Sequence, residues 1–141
     1  MITESLPANP YIIKMNWDEF EVTFNRRAQT LDELEVQASE VYKNLQLKSP
    51  VLTCGADGII SYSPEGAFRT IVPKLKAVNA AGAGDAVSSA LAWRFSEGDT
   101  WYDALKWAGA VSAAVVLTQG TAECRMEDVE ELLKQVRVNP I

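Results

Sequence analysis

The chain has 141 residues, 48% of them hydrophobic and 23% charged, which is the size and composition of one folded domain of about 100–200 residues and excludes a globally disordered chain. Thirteen Lys and Arg against nineteen Asp and Glu leave a formal charge of −6, a poor match to a polyanion, so nucleic acid and anionic membrane surfaces are not expected partners. There is no histidine, which removes Ser/His/Asp and Cys/His catalysis and any His-ligated metal site and leaves acid–base work mostly to carboxylates. Cys54 and Cys124 stand far apart rather than in a paired motif and read as reduced thiols. The first residues lack a basic and apolar leader, and the most apolar run, Trp107 to Leu117, falls short of the roughly 20 residues of a membrane span. The expectation is a cytoplasmic protein.

In chain order, Tyr11–Lys14 predicts a strand that closes in a turn at Asn16-Trp17-Asp18-Glu19. Thr30 and Glu33 have the spacing of a capping box, and Leu34, Ala38, Val41 and Leu45 mark the buried stripe of the helix that follows. Pro50–Thr53 predicts a second strand, Cys54–Gly58 a glycine-rich turn, and Ile59–Tyr62 and Phe68–Val72 a hairpin about Ser63-Pro64-Glu65-Gly66. After Ala80-Ala81-Gly82-Ala83-Gly84-Asp85, helices are predicted to Glu97, from Thr100 to Leu117, and from Glu127 to Val136. Strands separated by helices, with one hairpin, predict a layered α/β domain with a mixed, partly parallel sheet and flanking helices.

Three segments carry chemistry. Gly82 and Gly84 let the backbone turn sharply where a helix begins, so several N–H groups and the positive end of the helix dipole converge on one anion site. Asp85, in the first turn, is placed to orient a hydroxyl and accept its proton; the alternative is a plain strand-to-helix turn with Asp85 as a cap. At the end of the first strand, Asn16 and Glu19 are hard oxygen donors suited to Mg2+, with Lys14 two residues earlier facing the same way; equally, they form a capping pair beside a solvated lysine. Thr53, Gly55 and Gly58 belong to a turn that passes close to a nucleotide or closes a hairpin. Ala110, Val111, Ala114 and Val115 form either an adenine wall or tight core packing.

Taken in order, strand-Asn-x-x-Glu, Thr-x-Gly-x-x-Gly and Gly-Ala-Gly-Asp resemble the C-terminal half of the ribokinase-like, PfkB-type carbohydrate kinases over nearly the whole chain. The resemblance implies transfer of the γ-phosphoryl of ATP to a sugar or sugar phosphate. Gly82, Ala83 and Gly84 would be the anion hole and Asp85 the base. Asn16 and Glu19 would serve Mg2+ and the phosphates with Lys14; Thr53, Gly55, Gly58 and Asn79 would contact the nucleotide, and Val111 and Val115 its adenine side. Ser63–Gly66 and Leu117–Thr121 look most like the phosphofructokinase and tagatose-6-phosphate kinase branch, hence a hexose phosphate.

The sequence departs from the family where Met15 replaces a proline and where Asn79-Ala80 replaces Asp-Thr. The family's N-terminal portion, with most sugar contacts and the lid, lies outside this sequence. An open sheet edge beside the first strand predicts self-association or pairing with a separate N-terminal half, and weak activity of the chain alone. The competing reading is a truncated, non-catalytic nucleotide-binding or assembly module.

Overall fold

A computed structural model of the chain describes residues 12–46, 48–73, 83–116 and 126–141. Its sheet has five strands in chain order: β1 (Ile13–Asn16), β2 (Pro50–Thr53), β3 (Ile59–Ser63), β4 (Gly66–Ile71) and β5 (Arg137–Pro140). β1 and β2 run parallel, in a register that sets Asn16 beside Thr53, and the other three pairings are antiparallel. The mixed sheet and the 59–71 hairpin are as the sequence predicts.

Strand alternation gives the sheet two apolar faces. On one, Ile13, Met15, Leu52, Cys54, Ile60 and Tyr62 are buried beneath α1 (Trp17–Phe24) and α2 (Leu31–Leu45), which contribute Phe20, Leu34, Ala38 and Val41. On the other, Val51, Ile59 and Val138 are buried beneath α3 (Ala83–Ser96) and α4 (Trp101–Val116), through Val87, Leu91, Trp101 and Leu105. α5 (Met126–Leu133) closes the α4 side with Val129 and Leu132. No helix among the described residues is long and apolar enough to cross a membrane.

Polar contacts fix the layers in place. The Arg69 guanidinium on β4 pairs with Asp32 at 3.0 Å and Glu35 at 3.1 Å, and the Tyr62 hydroxyl donates to the Glu35 carbonyl at 2.9 Å, so α2 is held at two points. On the opposite layer, Glu65 in the β3–β4 turn accepts from the Trp101 amide at 3.1 Å and satisfies an orphan donor at the start of α4. Gly109 lets α4 sit low on the sheet, because a Cβ there would lie 3.1 Å from the side chains of Thr70 and Val136.

Two elements differ from the sequence reading. Residues 16–19 do not end a strand in a turn; Asn16 is the N-cap of α1, accepting from the Glu19 amide at 2.7 Å while the Asn16 amide donates to Glu19 at 3.0 Å. The last helix stops at Leu133, and the chain turns at Lys134–Gln135 to enter β5, which runs antiparallel beside β4. β5 is a short edge strand containing Pro140, and proline is tolerated at an edge because it removes no ladder bond from the sheet interior.

The turn between β2 and β3 is a short 3-10 segment, Gly55–Asp57, closed by Gly58 at φ +93°. A side chain at 58 would collide with the carbonyl oxygen of Thr70 on β4 as well as strain the backbone. Gly58→Ala is therefore expected to lower stability by at least about 2 kcal/mol in chemical denaturation. A loss under about 0.5 kcal/mol would show that this turn does not need its observed path.

Candidate functional site

β1 and β2 are parallel and end together, so the side chains at their carboxyl ends face the open side of the sheet where ligands of α/β proteins collect. A cleft of about 230 Å³ lies there, lined by Lys14, Asn16, Thr53, Gly55, Gly58, Ile59, Gly84, Val87 and Ser112. Six of these nine, from three separate stretches of sequence, are residues that the sequence singles out: Lys14, Asn16, Thr53, Gly55, Gly58 and Gly84. A wider hollow of about 490 Å³ adjoins it, sharing Asn16, Thr53 and Gly55 and extending past Trp17, Asp18 and Glu21.

The cleft has a cationic end. The Lys14 side chain crosses from β1 to the first turn of α3, where its Nζ lies 3.1 Å from the position a Cβ on Gly84 would take. The amides of that turn have no carbonyl partners within the helix and carry the positive end of its dipole. Among the described residues Lys14 has no ion pair. Two positive groups with no anion paired to Lys14 among the described residues form a slot suited to one. The absence of a side chain at Gly84 is what lets the ammonium approach.

Asp85 follows Gly84 in the same first turn and is exposed. The backbone of Ala83 begins α3. Gly82 of the expected anion site and Asn79, an expected nucleotide contact, lie outside the described residues, as do Leu117–Thr121 and Cys124.

Asn16 and Glu19 are committed first to each other through the capping box, which takes Asn16 Oδ1 and Glu19 Oε1. Glu19 Oε2 remains for other partners. One free carboxylate oxygen fits Mg2+ that is carried by phosphates and keeps most of its waters; it does not make a protein cage. No group of three or more acidic or thiol ligands occurs among the described residues. Thr53 reaches the Met15 carbonyl at 3.5 Å, a long contact that leaves its hydroxyl available at the cleft.

Val111 and Val115 do not border the cleft. Val115 is fully buried, and Val111 is packed between the core under α3 and α4 and the core shared with α5. The small-residue face of α4 is core packing, with Ala110 and Ala114 fully buried as well. The residue of α4 that meets the cleft is Ser112, which the sequence reading passes over. The available signal is that Ser112 is the single polar residue breaking the apolar run from Trp107 to Leu117. Cys54 is buried beside the wider hollow, and its thiol is pushed up to about 12, first by burial and then by the Asp57 carboxylate. It stays protonated at neutral pH and is no nucleophile.

A cationic slot at the ends of parallel strands, with a glycine at the helix start, is suited to an anionic ligand. Residues 2–128 match the model of the pfkB family carbohydrate kinases, and the chain belongs to that family. It is 34% identical over 140 residues to a 1-phosphofructokinase of Borreliella burgdorferi, covering 96% of this chain and 44% of that protein. It is 24% identical over 124 residues to the ATP-dependent 6-phosphofructokinase isozyme 2 of Escherichia coli, covering 88% and 40%. The fold matches a crystal structure of phosphofructokinase-2 from Escherichia coli in complex with potassium at a TM-score of 0.84 and 23% identity, over 95% of this chain and 44% of that one. The chain thus spans less than half the length of these relatives.

Proposed function

We propose that the chain supplies the nucleotide-binding and catalytic part of an ATP-dependent kinase acting on a sugar phosphate, most simply a hexose phosphate. The observation that carries this reading is the Lys14 ammonium set against the first turn of α3 at Gly84. Family membership supports phosphoryl transfer to a carbohydrate, and the named relatives support a phosphorylated hexose acceptor and ATP as donor.

In this reading the terminal phosphate of ATP lies between Lys14 and the backbone of residues 82–84. Negative charge on the transferring group is held by fixed N–H dipoles and the lysine, which need no reorganisation as the reaction proceeds. Asp85, exposed one residue past Gly84, orients the acceptor hydroxyl and takes its proton as the new P–O bond forms. Asn79, which lies outside the described residues, would contact the nucleotide. Glu19 would hold waters of Mg2+ through its free oxygen, and that ion, when bound, neutralises phosphate charge.

The test is Asp85→Asn in the active kinase, whether that is this chain or its assembly with further polypeptide. ATP affinity is expected to change less than about threefold while kcat falls by roughly 10²–10⁴. Retention of wild-type kcat would remove Asp85 as the base.

The open edge of β1, which pairs only with β2 among the described strands, supports a second proposal about partners. An unpaired parallel edge flanked by buried apolar faces invites another strand, from a second copy or from the remainder of a kinase fold. Light scattering on the purified chain at micromolar concentration is expected to give a mass above that of the 15.5 kDa monomer. A clean monomer that turns over substrate efficiently would contradict this.

A further inference from the structure

A glycine inside a helix is unfavourable unless the backbone needs it, because alanine loses less freedom on folding and is the better helix former. The sequence assigns Gly84 to a sharp turn where α3 begins. The structure places it otherwise. Gly84 is the second residue of α3, and its φ lies outside the left-handed range that Gly55, Gly58, Gly66 and Gly98 adopt. Its backbone is one that alanine takes as readily.

The missing side chain is therefore a matter of space. Among the described residues, a Cβ on Gly84 would meet one atom within 4 Å, the Lys14 Nζ, at 3.1 Å. Unstrained contact between non-bonded heavy atoms needs about 3.5–4.0 Å, so the methyl group and the ammonium cannot both keep their places. The ammonium is the free end of a flexible stem and has no ion pair among the described residues, so the lysine would give way and the helix would not. The other described glycines differ: a Cβ at Gly58 would strike the Thr70 carbonyl, one at Gly66 the Phe68 ring and one at Gly109 three side chains of the core, while Gly55 and Gly98 face open space. Gly84 is the described glycine whose emptiness is filled by a charge.

We propose that Gly84 is a positioning residue for Lys14: its bare Cα keeps the ammonium seated against the first turn of α3, where the terminal phosphate of ATP is held. The assignment rests on the nucleotide reading above and deepens it, because residues 14 and 84 become one coupled unit instead of two separate contacts.

A double-mutant cycle tests it, with Gly84→Ala and Lys14→Met made singly and together and each chain titrated with ATP and with ADP by calorimetry. Methionine ends one atom short of Nζ, so in that background the added Cβ has nothing to displace. Gly84→Ala alone is expected to melt no lower than wild type without ligand, since alanine favours the helix. It is expected to bind ATP about fivefold more weakly, the size of one hydrogen bond. Its ADP affinity is expected to change less than about twofold, because ADP lacks the terminal phosphate, and the same alanine in Lys14→Met is expected to change ATP affinity less than about twofold.

An equal loss of ATP affinity in both backgrounds overturns the proposal, since the glycine would then serve the backbone or the ligand directly. Wild-type ATP affinity in Gly84→Ala, a loss shared by ADP, or a lowered melting temperature without ligand overturns it as well. In all of these cases ATP binding by wild type that weakens in Lys14→Met leaves the nucleotide reading standing. No ATP binding by wild type, or ATP affinity unchanged in Lys14→Met, overturns the assignment and the nucleotide reading together.

Discussion

The site depends on a charge held where the fold alone does not want it. A lysine ammonium beside the N-terminus of a helix meets the positive end of the dipole, an arrangement that costs about 0.3–1 kcal/mol at a surface. Lys14 is brought there by β1 and has no carboxylate to offset it among the described residues. Proteins keep such unfavourable contacts chiefly where a ligand relieves them. An anion placed between Lys14 and α3 would turn two repelling groups into two attracting ones.

The rest of the architecture serves that approach. Parallel pairing of β1 with β2 brings Lys14, Asn16 and Thr53 to one end of the sheet on the side covered by α3 and α4. The capping box at Asn16 starts α1 toward the opposite face, so the same residue that borders the cleft also redirects the chain away from it. Gly58 turns β2 into β3 close against β4, keeping the loop at Gly55–Asp57 low enough to border the cleft. The aromatic and aliphatic cores on the two faces hold these ends in register.

Much of this was legible in the sequence because it rests on local chemistry. The Thr30 cap, the hairpin about Ser63–Gly66 and the stop at Gly98 each follow from a residue type that the backbone conformation requires. The cleft was legible for the same reason: Lys14, Asn16, Thr53, Gly55, Gly58 and Gly84 belong to short motifs whose spacing implies convergence. β5 was not, since four residues containing a proline carry no strand period, and only pairing with β4 makes them a strand. The Asn16–Glu19 capping pair is legible as one of two readings and is present, but α1 itself is only eight residues long and the sequence reading assigns no helix after the cap. Val111 and Ser112 are neighbours on α4, and which of them meets the cleft depends on helix rotation against the sheet, a tertiary property that composition does not encode.

The central claim is tested most directly by Lys14→Met, measured as thermal stability without ligand and as affinity for ATP by titration calorimetry. Removing the charge while keeping the aliphatic stem should raise the ligand-free melting temperature and weaken ATP binding roughly ten- to a hundredfold, the effect of losing a charged hydrogen bond. A variant that melts lower than wild type without ligand and binds ATP equally well would contradict the account, because Lys14 would then be structural.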